Sequence, residues 1–102
     1  MTEVRWTPQA ADDLQAIYDF IGRDSPHYAQ VIVEDILAAV DRLERFPLMG
    51  RHVPERPRED LRELIKPPYR IVYRRSDSHS DDLSRLSIVS IQFGITNISV
   101  RS

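Results

Sequence analysis

The sequence predicts an α+β fold in the order β-α-α-β-β-β, a helical hairpin packed on one face of a small, mainly antiparallel sheet. Three observations predict it. Thr7-Pro8 and Ser25-Pro26 each open a run whose apolar residues recur every three or four positions. Residues 61–75, LRELIKPPYRIVYRR, place a Pro67-Pro68 interruption between two runs in which apolar and charged residues mix, as in a β-hairpin. Residues 85–93 form a last apolar, β-branched run.

Glu3-Val4-Arg5-Trp6 alternates and reads as a short first strand with Val4 and Trp6 inward, Trp6 being a packing anchor. Thr7 then serves as N-cap and Pro8 as first residue of a helix. Ala11, Leu14, Ile17, Tyr18 and Ile21 form its apolar stripe, Asp12 and Asp13 lie near the positive end of its dipole, and Gly22 supplies a left-handed stop. Ser25-Pro26 opens the second helix, with Ala29, Ile32, Val33, Ile36, Val40 and Leu43 inward. It is expected to end near Phe46, because Pro47 disfavours helix in the residue before it. The short link from Gly22 to Ser25 makes the two helices an antiparallel hairpin. Their outer faces carry Asp19, Asp24, Glu34, Asp35, Asp41 and Glu44 as ordinary solvation.

Residues 47–51 are turn material, with Gly50 supplying freedom in φ. Residues 52–60 hold Pro54 and Pro57 and read as a loop. In the hairpin, Tyr69 to Arg74 alternates like a half-buried strand, and Pro67 and Pro68, which cannot donate to a ladder, belong in the connection. Residues 76–84 read as a polar loop. The last strand carries Ile88, Val89 and Ile91, and residues 94–102 are a weakly patterned tail.

At 102 residues a single domain, 1–102, is expected, and 41% hydrophobic residues make it globular rather than disordered. The absence of cysteine excludes disulfides and thiolate chemistry. No apolar run approaches the roughly 18 residues of a membrane span and no signal-peptide pattern opens the chain, so no membrane partner and a cytoplasmic location are expected. The net charge of −2 argues against general nucleic-acid affinity. It conceals a polarity: residues 1–50 carry four basic against nine acidic residues, and residues 51–102 ten against seven. Two different surfaces follow.

Trp6-Thr7-Pro8 with Ala11, Asp13-Leu14 and Ile17 resembles the start of the RelE/ParE toxin superfamily of bacterial type II toxin–antitoxin modules. So do Ser25-Pro26 with Ala29, and Leu43 with Phe46-Pro47 and Gly50-Arg51. Leu61-Arg62-Glu63-Leu64 with Tyr69-Arg70-Ile71-Val72-Tyr73-Arg74 carries the resemblance furthest, and the whole is more like the ParE branch than the RelE branch. The resemblance implies a plasmid-stabilising toxin neutralised by a cognate antitoxin that wraps its surface, the two forming a hetero-oligomer. ParE-branch toxins poison DNA gyrase, and RelE-branch toxins cut messenger RNA on the ribosome. The chain departs from the family's end: ParE-like chains usually close with a His-Gly pair followed by Arg, where this one reads Gln92-Phe93-Gly94-Ile95-Thr96-Asn97. That departure bears on toxicity rather than fold, and leaves a non-toxic, antitoxin-binding module as a third reading.

RNA cleavage through the 2′-hydroxyl needs a base, an acid and a cation beside the phosphate. Of 14 basic residues 13 are arginine, which stabilises charge but cannot act as a base. A nuclease would have to use Lys66, Tyr69 and Arg70, with Glu63 a further acid–base candidate nearby. The same residues have structural readings: Arg70 as a cross-strand partner of Glu63, and Tyr69 and Tyr73 as core or groove wall. The expectation is therefore a protein that works by binding, with Arg51, Arg62, Arg70, Arg74 and Arg75 as target or partner contacts and gyrase as target. No direct sequence-specific nucleic-acid binding is expected. His27, His52 and His79 are not spaced as metal ligands, and Gly22, Gly50 and Gly94 form no phosphate loop, so no metal and no cofactor are expected. An antitoxin helix could lie in a leftover groove, or an antitoxin strand pair with a sheet edge.

Overall fold

A computed structural model describes residues 2–55, 60–75 and 85–93; the expected loop at 76–84, the tail at 94–102 and part of the 52–60 loop lie outside them. The chain runs β1 (Glu3–Trp6), α1 (Pro8–Gly22), α2 (Pro26–Arg42), β2 (Arg51–His52), β3 (Leu61–Lys66), β4 (Tyr69–Arg75) and β5 (Arg85–Phe93). The expected α+β order holds, with one short strand added: Arg51 and His52, expected in turn and loop, pair antiparallel with Glu63 and Arg62 at the sheet margin.

Both helix starts follow the local rule. Thr7 has extended backbone and its hydroxyl accepts the Ala10 N–H at 3.2 Å, while the Ser25 hydroxyl accepts that of Tyr28 at 3.3 Å. Each is followed by a proline at the first helical position, where no donor is missed.

The phase of α1 differs from the expected stripe. Ala10 is buried and Leu14, Ile17 and Ile21 pack on the core, whereas Ala11 and Tyr18 face solvent. Ala10, Leu14, Ile17 and Ile21 lie in one row at spacings of four and three, and Ala11 and Tyr18 each sit one residue, about 100°, around from it. Nor do Asp12 and Asp13 lie in the first turn. Gly22 is not left-handed: no glycine among the described residues has positive φ, and the capping residue Arg23 is right-handed helical. The helix instead closes through Asp24 and Ser25 N–H bonds to the Ile21 carbonyl. In α2, Ala29, Ile32, Ile36, Ala39, Val40 and the following Leu43 are buried, with Val33 half-buried. The helix stops at Arg42, short of Phe46. Residues 43–45 tighten into i→i−3 bonds, which satisfy the last carbonyls before Pro47.

The sheet order is β1-β5-β4-β3-β2, with β1 parallel to β5 and every other pair antiparallel. Helices cover one face, where Leu64, Ile71, Tyr73, Leu86, Ile88 and Ile91 meet the helical stripes. On the open face Val53, the residue after β2, forms a smaller cluster with Leu61 and Val72, with Val89 beside it. Because side chains alternate along a strand, neighbours of core residues face the other way.

Two long-range devices tie the layers together. β1 ends opposite Ile88, so among the described residues β5 has no strand on that side beyond it. There α1 supplies the partners: the Thr7 hydroxyl donates to the Ile88 carbonyl at 2.7 Å, and the Asp13 carboxylate accepts the Ile91 N–H at 2.9 Å. This is Asp13's role. Asp13→Ala is expected to cost about 1–3 kcal/mol by stranding a part-buried N–H. Asp13→Asn, which keeps an acceptor, should recover most of that loss in urea melts, and an alanine variant as stable as the parent would remove the bond from the account.

The second device centres on Gly50, which was expected to provide freedom in φ. Its requirement is space: a Cβ there would come within 2.6 Å of the Glu63 carbonyl oxygen and the Tyr73 hydroxyl. That hydroxyl accepts the Gly50 N–H at 2.9 Å and donates to the Pro47 carbonyl at 3.1 Å, fastening the turn to the middle of β4. Burial pushes the Tyr73 hydroxyl's pKa up, against the opposing pull of the Gly50 N–H and the Arg62 charge. Tyr73 is thus core, as its structural reading had it.

Candidate functional site

β3 and β4 pair with Ile65 opposite Arg70 and Glu63 opposite Val72, so Glu63 and Arg70 are diagonal neighbours on the open face. The Glu63 side chain is fully buried. Its Oε1 accepts from the Arg70 guanidinium at 2.9 Å and its Oε2 from Arg51 Nε at 2.6 Å. Arg70 extends the network: it bonds both carboxylate oxygens of Glu55, at 3.0 and 3.2 Å, and the Gln92 side-chain oxygen at 2.9 and 3.1 Å. Gln92 in turn donates to the Ser90 hydroxyl. The Arg70 hydrogen bond holds the Glu55 carboxyl below the usual range, helped by Glu55's own N–H, and the same bond raises Arg70. A buried carboxylate clamped by two arginines is fully satisfied, and no buried side-chain polar atom among the described residues lacks a partner.

The five arginines expected to contact partners therefore do not form one patch. Arg51 and Arg70 converge on Glu63. Arg62, in alternation with Leu64, turns to the helix side of the margin and donates to the Gly50 carbonyl at 2.6 Å. Arg75 meets Asp60 at 3.4 Å. Arg74 is exposed on the open face, with no ion partner among the described residues. The acid–base candidates are divided as well. Lys66 and Tyr69 are direct cross-strand partners at the hairpin end, on the face of Leu64 and Ile71, while Arg70 projects from the other face. Tyr69 packs edge-on against Phe93, with ring centroids 5.7 Å apart, and burial, assisted by nearby Tyr28, raises its hydroxyl pKa. It also walls an open apolar cavity of about 460 Å³ with Ala16, Ile17, Phe20 and Phe93.

The Glu63–Arg70 contact was one of the sequence readings of Arg70, and the register of β3 with β4 makes it a diagonal one. Arg51, Glu55 and Gln92 were not read as partners, because they reach Glu63 and Arg70 from segments far away in sequence. A single signal could have pointed to them: Glu63 stands in register with Leu61, on an inward position where a carboxylate demands partners. Among the described residues no group of three or more His, Asp or Glu side chains could hold a metal. No described helix is long and apolar enough to cross a membrane.

The family model described as "ParE toxin of type II toxin-antitoxin system, parDE" matches residues 4–91. The chain belongs to this family. As a ParE-family toxin of a type II toxin–antitoxin system, it is 41% identical over 78 residues to Toxin RelE2 of Caulobacter vibrioides, covering 76% of this chain and 84% of the relative. Among solved structures it resembles a chain of the chromosomal ParDE TA system from P. aeruginosa, with a TM-score of 0.71 and 27% identity over 92% of this chain and 97% of that one. The toxin–antitoxin complex RelBE2 from Mycobacterium tuberculosis contains a chain of the same fold, with a TM-score of 0.59 and 24% identity over 90% and 96%.

Proposed function

We propose that this ParE-family toxin works by binding, that a cognate antitoxin neutralises it by direct association, and that its target is DNA gyrase. The observation carrying the binding reading is the separation of the acid–base candidates. Arg70 lies on the open face, spent on Glu63, Glu55 and Gln92, while Lys66 and Tyr69 lie on the helix side. A tyrosine whose pKa is raised by burial is a poorer base at neutral pH than a free one. The assignment of gyrase rests on the ParE likeness, since ParE-branch toxins poison that enzyme. The ParDE structure from P. aeruginosa, 27% identical to this chain, is a toxin–antitoxin system, which supports an antitoxin partner here.

The test is expression without antitoxin, with gyrase–DNA cleavage complexes and mRNA integrity measured separately. Trapped gyrase complexes, intact mRNA and little effect of Lys66→Ala are expected. Ribosome-dependent mRNA cleavage, reduced roughly a hundredfold or more by Lys66→Ala, would replace this reading with a RelE-like endonuclease. Silence in both assays with antitoxin binding retained would make the chain a non-toxic antitoxin-binding module.

A further inference from the structure

The open face carries a second charged feature, distinct from the Glu63 network. Ser87 on β5 is the register partner of Arg5 on β1 and of Arg74 on β4. Val4 and Trp6, Leu86 and Ile88, and Tyr73 all pack on the helix-side core, so Arg5, Ser87 and Arg74 share the opposite face. Neighbouring strands lie about 4.8 Å apart, which sets the two arginine Cα atoms about 10 Å apart with the serine between them. Both arginines are exposed, and neither has an ion partner among the described residues.

Among the described cations of the open face, the lack of an ion partner is specific to this row. Arg51 and Arg70 are held by Glu63, Arg75 by Asp60, and Arg85, in the next row with Glu3, stands 3.9 Å from that carboxylate. The positive charge of the open face that has no ion partner among the described residues is therefore gathered where Arg5 and Arg74 flank Ser87.

We infer that Arg5, Ser87 and Arg74 form a phosphate-binding site that takes a backbone phosphodiester of a nucleic-acid strand. Two guanidinium-bearing side chains and a hydroxyl stand side by side on three adjacent strands. A tetrahedral phosphate offers oxygens in three directions, whereas a planar carboxylate is filled by one fork. Contacts of this kind carry no base information, so the site binds without sequence preference. It does not depend on gyrase being the toxin's target, because the strand itself is the ligand.

The test is fluorescence anisotropy of the full chain with labelled oligo-dT and oligo-dA over a range of salt. Arg5→Ala/Arg74→Ala is expected to weaken both about tenfold or more at low salt and to lower the slope of log K against log salt by about 0.7 for the lost phosphate. Ser87→Ala should weaken both about threefold, while Arg23→Ala/Arg42→Ala, which removes equal charge from the helical layer, should change binding less than twofold. Thermal melts of Arg5→Ala/Arg74→Ala should match the parent, since neither arginine has an ion partner among the described residues. Parent-like binding by Arg5→Ala/Arg74→Ala overturns the site, and an equal loss in Arg23→Ala/Arg42→Ala reduces it to diffuse charge. Inorganic phosphate binding as tightly as the oligonucleotides would assign the site to the free ion instead of a strand. A poly-glutamate peptide bound as tightly, with the same sensitivity to Arg5→Ala/Arg74→Ala, would assign it to acidic protein.

Discussion

Ile36→Asp is expected to leave the chain unfolded at 25 °C. Ile36 is 1% exposed, in the middle of α2 and within the cluster shared by both helices and the sheet. Removing its side chain alone costs about 2–5 kcal/mol. An unpaired carboxylate in its place adds an effective desolvation cost of several kcal/mol. A domain of this size has about 5–15 kcal/mol in total, so the sum is comparable to what is available. Protonating the aspartate lowers the penalty, so any residual folding should appear at acid pH. Circular dichroism and thermal melts of the variant decide the matter, and a parent-like midpoint would mean that α2 does not present this residue to the core.

Both helix starts were legible because their causes are local: a capping hydroxyl and the proline after it lie within a few residues of each other. The hairpin was legible for the same reason, its two runs flanking the Pro67-Pro68 connection directly, while its register is set by the pairing of β3 with β4 and was not legible. The α1 stripe was harder. Ala10 and Ala11 are chemically alike, and only packing against β5 distinguishes them. Three features were written in no local pattern. β2 forms because Arg51 and His52 meet β3 across the loop that joins them, Gly50 is small because Tyr73 lies above it, and Asp13 is placed for an N–H on β5. Each depends on a contact whose partner is remote in sequence, which periodicity cannot reveal. The candidate site divides along the same line. Its charge was readable from composition, but which arginines are spent and which are free is decided by where Glu63, Glu55 and Asp60 lie.

Glu63→Ala is expected to destabilise the domain by about 3 kcal/mol, the low end of the cost of removing one partner from a buried pair. The low end applies because the two arginines left behind have different recourse. Arg51 is 59% exposed and returns to water, whereas Arg70, 13% exposed, keeps Glu55 and Gln92 but loses the partner deepest in the sheet. Glu63→Gln keeps the volume and one acceptor, so it should lose less than the alanine variant. The reverse truncation, Arg70→Ala, leaves the buried carboxylate with Arg51 alone and should be comparably costly. Combining Glu63→Leu with Arg70→Met removes both charges and fills the space with apolar atoms. The double variant should therefore fall short of the sum of its single variants by at least about 1 kcal/mol. Urea melts of the four proteins in that cycle supply the coupling energy. Additivity within about 0.5 kcal/mol would mean that Glu63 and Arg70 are stabilised independently, and that the network has no role in holding the open face in shape.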